Sequence, residues 1–158
     1  MIWFSPSFKF AEFVYSQTAI ERNIQNKPTI QHIVNGAAHS NLILQPFRDD
    51  VNEAVIVTSW YRCPELNTAV GGSVNSTHTS GSTTDIVVRS MTTPEVIDRI
   101  IFLKLPYQKI IDEGFYNDKG EWISWAHVES PTDRRKKPAR EHFIARGDRR
   151  NPTYERVA

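Results

Sequence analysis

Two histidines and one aspartate stand out as a possible reactive set. They lie in Ser76-Thr-His78-Thr-Ser-Gly81-Ser-Thr-Thr-Asp85 and, about forty residues later, in Trp125-Ala-His127. A histidine and a carboxylate seven residues apart cannot share a helical face. A loop closed by glycine can bring them together if the aspartate begins a strand, and a histidine on a neighbouring strand can complete the set. Two imidazoles and a carboxylate suit a zinc ion that keeps its fourth position open for water, which is the pattern of catalytic and not structural zinc. The same residue types also occur as hydrogen-bonded surface groups, so spacing by itself leaves both readings open.

The helices and strands that carry these residues can be read from periodicity. Phe8, Phe10, Phe13, Val14, Ala19, Ile20 and Ile24 recur at helical spacing. Thr29 to Phe47 predicts a longer amphipathic helix with Ile30, Ile33, Val34, Ala37, Ala38, Leu42 and Leu44 on its buried face, ending near Pro46. Ala54–Thr58 and Asp85–Val88 read as buried strands, with a loop and one helical turn over Tyr61–Asn75 between them. Thr93-Pro94-Glu95 reads as a helix start with Thr93 as its cap, followed by the apolar stripe Val96, Ile97, Ile100, Ile101 and Leu103. Lys109–Glu113 and Trp122–Val128, separated by Asn117-Asp118-Lys119-Gly120, form an antiparallel hairpin. The segment from Pro131 onward is expected as an exposed basic extension of the same domain, which occupies residues 1–130.

The motif Ser76-x-His78-x-x-Gly81-x-x-x-Asp85 with Trp125-x-His127 resembles the zinc signature of the M15 peptidases, the D-Ala-D-Ala carboxypeptidases, dipeptidases and phage L-alanyl-D-glutamate endopeptidases. Further stretches are similar in the same order: Phe8-x-Phe10-x-Glu12-Phe13-x-x-Ser16, Asn26-x-Pro28, Leu44-Gln-Pro-Phe-Arg48, Ser59-x-Tyr61-Arg62 and Leu66-Asn67-x-Ala69-Val70-Gly71-Gly72-Ser73. The resemblance implies an α+β fold of the Hedgehog/D-Ala-D-Ala peptidase type, a small antiparallel sheet bearing the zinc site with helices packed on its other face. It implies His78, Asp85 and His127 as zinc ligands, and Arg62 as the group that holds a substrate carbonyl or carboxylate. Several members carry an acid three residues before the final histidine, where this chain has Ser124. In the small members an acid closes the preceding strand, which points to Glu113 as general base, with Glu121 in reserve and Asp112 facing away by strand alternation. Ser82-Thr83-Thr84, Trp60 and Thr77 depart from the usual residues at their positions without removing a ligand.

The resemblance implies hydrolysis of a peptide bond in the peptidoglycan stem, whether D-Ala-D-Ala, L-Ala-D-Glu or a cross-bridge. The alternative is a weakened binding or virion module that keeps the fold. A monomer is expected, with no membrane or nucleic-acid partner; Met1-Ile-Trp-Phe-Ser-Pro is no secretory signal, so action on the wall calls for phage-type release, as by an endolysin. With 39% hydrophobic and 23% charged residues the chain has an ordinary globular composition. The net charge of +1 hides an asymmetry, because the residues from 131 carry nine Lys/Arg against four Asp/Glu and the rest carries ten against fourteen. The run Arg134-Arg-Lys-Lys137 reads as a solvated tail. Cys63 is the single cysteine, so there is no internal disulfide, and it has no base nearby in sequence to make it a nucleophile. His32 and His39 read as structural or exposed, and Trp122 and Trp125 as core residues or the lining of a groove.

Overall fold

A computed structural model describes residues 2–133, 136–148 and 151–157. The chain opens with a short antiparallel pair, β1 (Trp3–Ser5) and β2 (Phe8–Lys9), followed by α1 (Phe10–Val14) and α2 (Gln17–Glu21). The pattern of Phe8 to Ile24 therefore covers a strand and two short helices. The break is chemical: Tyr15 is extended, and the Ser16 hydroxyl accepts the Ala19 amide at 3.2 Å, which starts a new helix.

Helix α3 (Ile30–His39) is capped by Thr29 and passes through a π-helical turn, Ser40–Leu44, directly into α4 (Gln45–Val51). Pro46 does not end the helix as expected. It falls in the first turn of α4, and the preceding turn is widened, with the Gln45 amide bonding to the Ser40 carbonyl five residues back. The buried face also differs from the apolar stripe. Ile30 is 82% exposed, while Asn35, Gly36, His39, Ser40, Ile43 and Leu44 face inward. Gly36 explains this, because a Cβ there would lie 2.6 Å from the Phe13 ring, so the aromatic core presses on bare helix backbone.

The main sheet has the order β3-β4-β6-β5-β7-β8, with β3 (Val55–Ser59), β4 (Thr83–Val88), β5 (Lys109–Tyr116), β6 (Trp122–Glu129), β7 (Glu141–Asp148) and β8 (Asn151–Arg156). The expected α+β class is observed, and β5 and β6 form the expected hairpin. The sheet is mixed, however, because β7 runs parallel to β5. The chain leaves β6 at the end where β5 begins and re-enters at that same end on the far side of β5, so β7 must run with β5. Within the basic segment after Pro131, Glu141–Asp148 and Asn151–Arg156 are thus strands of the sheet; Arg134 and Arg135 lie outside the described residues.

Helix α6 (Thr93–Phe102) covers one face, packing Val96, Ile97 and Ile100 with Ile86, Val88, Ile110, Ala126 and Val128. Its cap is Thr92, not Thr93, in a reciprocal pair with Glu95; the Thr93 hydroxyl instead donates to Ser124. Near the β3 end the core is aromatic, with Trp60 edge-on to Phe4, Phe8, Phe13 and His39. The other face of the sheet is left open. No helix among the described residues is long and apolar enough to cross a membrane.

Candidate active site

Strand pairing does most of the assembly. Asp85 on β4 lies directly opposite His127 on β6, so their side chains leave the sheet on the same, open face. His78 arrives from a 3-10 turn, Thr77–Ser80, which follows α5 (Pro64–Ala69) and stops at Gly81. Gly81 has φ +80, and a Cβ there would stand 2.7 Å from the His32 carbonyl, so only glycine fits. The turn is pinned by Asn35 Nδ2 donating to the Ser80 carbonyl at 2.9 Å and Trp60 Nε1 donating to the Gly81 carbonyl at 3.0 Å.

The result is a buried cluster in which ligating atoms of His78, Asp85 and His127 all lie within 4.8 Å of one another. His78 Nε2 is 3.2 Å and His127 Nδ1 is 3.0 Å from Asp85 Oδ1. His78 Nδ1 is 2.7 Å from the Trp60 carbonyl, which can only accept, so Nδ1 carries the proton. Its Nε2 then turns a lone pair toward a carboxylate oxygen. Two acceptors face each other, an arrangement that a proton or a cation between them makes favourable. Burial pushes the His78 pKa below the ordinary histidine value despite Asp85, which disfavours the proton. The donor set therefore fits a metal ion.

Burial alone would raise the Asp85 carboxyl, but the charges and hydrogen bonds of His78 and His127 outweigh it and hold it well below the usual carboxylate range. His127 goes the other way: burial lowers its pKa, and its hydrogen bond to Asp85 with the charges of Asp85, Glu113 and Glu129 more than offsets that.

Arg62 reaches the cluster and contacts one of its members. Its Nη2 donates to Asp85 Oδ2 at 2.9 Å, and its Nε donates to the Ser59 hydroxyl at 2.9 Å. The guanidinium thus orients the very carboxylate that faces both imidazoles. Among the described residues no hydrogen bond uses Nη1.

Glu113 on β5 lies opposite Trp125 on β6, two pairs along from Ile111 opposite His127, so it shares the face of the cluster. Burial pushes its pKa up; His127 pulls it down, and Asp85 pushes it up again. The Trp125 indole N–H makes no hydrogen bond within ordinary limits but lies near enough to favour the Glu113 charge. Asp112 faces away, as alternation requires, and pairs with Arg146 at 2.6 Å. Glu121 does not reach the site. It closes the hairpin turn, accepting from Asn117 Nδ2 at 2.8 Å, and sits six residues from His127, about 20 Å along the strand.

The sequence model of the family described as Peptidase M15 matches residues 6–119, more than two thirds of the chain. The chain belongs to the M15 peptidases. A search of curated proteins found no match. The matched region contains Arg62, His78, Asp85 and Glu113 and stops short of His127, which β6 supplies.

In this M15 peptidase the cluster lies in an open cleft of about 1230 Å³, walled by the loop around Gly71–Thr77 on one side and by β7 and β8 on the other. Trp125 lines the cleft, whereas Trp122, three residues away and therefore on the opposite face, packs over Gly114. His32 packs against Tyr61, the two rings tilted by 33° with centroids 4.9 Å apart. His39 is buried, as a structural residue, and bonds to Thr84. Cys63 caps α5. Sequence reasoning did not find the Trp60 carbonyl behind His78 or the Ser59 hydroxyl behind Arg62. Both lie in the Ser59-x-Tyr61-Arg62 stretch, but a backbone carbonyl has no residue-type signal.

Proposed function

We propose that this M15 peptidase hydrolyses a peptide bond in the stem peptide of peptidoglycan, with zinc held by His78, Asp85 and His127. The observation that carries the reading is the convergence of three ligating atoms within 4.8 Å at an open cleft, with a carboxylate of raised pKa one strand away. When bound, zinc supplies a Lewis acid that polarises the scissile carbonyl and makes nearby water more acidic.

The chain's own residues do the rest. The Trp60 carbonyl keeps the His78 proton on Nδ1, so Nε2 stays a donor of electrons. Arg62 fixes Asp85 through Oδ2 and offers Nη1 to the substrate carbonyl or carboxylate. Glu113 takes a proton from the attacking water as the new carbon–oxygen bond forms, and returns it to the amine nitrogen as the carbon–nitrogen bond breaks. Its raised pKa suits both transfers, since a base of ordinary carboxylate strength holds a proton too weakly near neutral pH.

The test is mass spectrometry of purified peptidoglycan after digestion with the protein, with chelator, and with zinc restored. Fragments cut in the stem peptide, lost on chelation and regained with zinc, are expected, and their masses identify the bond. Intact material at every zinc concentration refutes the reading. Zinc binding without cleavage, unchanged by Glu113→Ala, would favour a binding module that has kept the fold.

A further inference from the structure

The C-terminal hairpin lies beyond the region matched to the family, yet it forms one wall of the cleft. Its registers place four residues in one row across the open face: Trp125 on β6, Glu113 on β5, Ala145 on β7 and Tyr154 on β8. Residues directly opposite each other point to the same side of a sheet, so Tyr154 shares a face with Glu113, two strands and roughly 10 Å away. In that row Ala145, with only a methyl side chain, is the residue between them. Although Ala145 lies on the open face, it is 2% exposed, so its larger neighbours close over it. Glu113 and Tyr154 flank it on the two adjoining strands.

Tyr154 itself does not look like a packing residue. It is 53% exposed on the outermost strand, lines the cleft, and its hydroxyl makes no hydrogen bond among the described residues. A large amphipathic ring with a free hydroxyl, standing half-open beside a catalytic carboxylate, is suited to hold a polar chain by its peptide groups. Arg62 occupies the opposite end of the row of strands, beyond Asp85, so a substrate lying across the cluster has one anchor on each side.

We propose that Tyr154 is a substrate-binding residue of the cleft, its hydroxyl donating to a backbone carbonyl of the peptide substrate and its ring covering the chain beside Glu113. Burial, followed by the charges of Glu113 and Asp85, raises the phenol pKa, so the hydroxyl keeps its proton and remains a donor across the working pH range. The β7–β8 hairpin is then a working part of the active site.

This inference rests on the peptidase reading above. Its test is steady-state kinetics on one purified muropeptide that the native protein cleaves, comparing Tyr154→Phe and Tyr154→Ala, with melting temperature and zinc content measured for each. Loss of one neutral hydrogen bond predicts a KM raised about twofold to tenfold in Tyr154→Phe, and a larger rise in Tyr154→Ala, with kcat nearly unchanged. Unaltered KM in a folded, zinc-loaded Tyr154→Ala overturns the inference and leaves the peptidase reading standing. So does a fall in kcat with KM constant, which is not a binding effect. If Tyr154→Ala fails to fold, Tyr154→Phe decides, because it keeps the ring and removes only the hydroxyl. A native protein that cleaves no muropeptide sinks the peptidase reading, and this inference with it.

Discussion

Replacing His39 with glutamine is expected to make the protein less sensitive to mild acid. His39 is 0% exposed; its Nε2 meets the Thr84 hydroxyl at 2.9 Å, and its Nδ1 has no hydrogen-bond partner. Burial, reinforced by the charges of His78 and His127, pushes its pKa down to about 3. In the unfolded chain the same group titrates near its ordinary value of about 6.5. Between those values the unfolded chain binds a proton that the folded one refuses, so stability is lost as the pH falls below about 6.5. Going from pH 7 to pH 5, this one group removes about 2 kcal/mol, at 1.36 kcal/mol for each pH unit below 6.5. Glutamine can still meet Thr84 and does not titrate. Urea unfolding followed by tryptophan fluorescence at pH 7, 6 and 5, with chelator present throughout, measures the difference. The native protein should lose about 2 kcal/mol more than His39→Gln over this range. Equal losses, within about 0.5 kcal/mol, would show that His39 is protonated in the folded protein and that the reasoning fails.

Three further outcomes follow from the site. Glu113→Gln should lower kcat by about 10²–10⁴ with zinc content unchanged, measured by cleavage assay and metal analysis; a loss under about fivefold assigns the base elsewhere. Gly81→Ala forces a left-handed backbone onto alanine and a Cβ against the His32 carbonyl, so it should destabilise the fold by about 2 kcal/mol or more in urea and weaken zinc binding. Zinc at about a hundred times its Kd should stabilise the native protein by about 2.7 kcal/mol, and this gain should vanish in Asp85→Ala. A zinc-induced shift that survives Asp85→Ala places the metal elsewhere.

Much of this was legible in the residues. The hairpin of β5 and β6 is marked by its alternation and by Asn117-Asp118-Lys119-Gly120, and strand parity alone separates Glu113 from Asp112. The inner face of α3 was not legible, because it is built from a glycine and polar side chains that periodicity counts as solvent-facing. Strands β7 and β8 were hidden by their charge, since Arg146 and Glu141 are satisfied by Asp112 and Arg156, partners brought near only by the folded sheet.

Residue types alone fix the chemistry available: two imidazoles, two carboxylates and a guanidinium, on elements whose periods say which way each side chain points. Tertiary structure decided what those groups do to one another. Only the β4–β6 register puts Asp85 opposite His127, only the carbonyl of Trp60 sets the His78 proton, and only the parallel return of β7 brings Tyr154 beside Glu113. The reason is physical: side-chain direction follows from local backbone geometry and can be read along the chain, whereas register and backbone hydrogen bonding between distant segments depend on how the whole sheet closes.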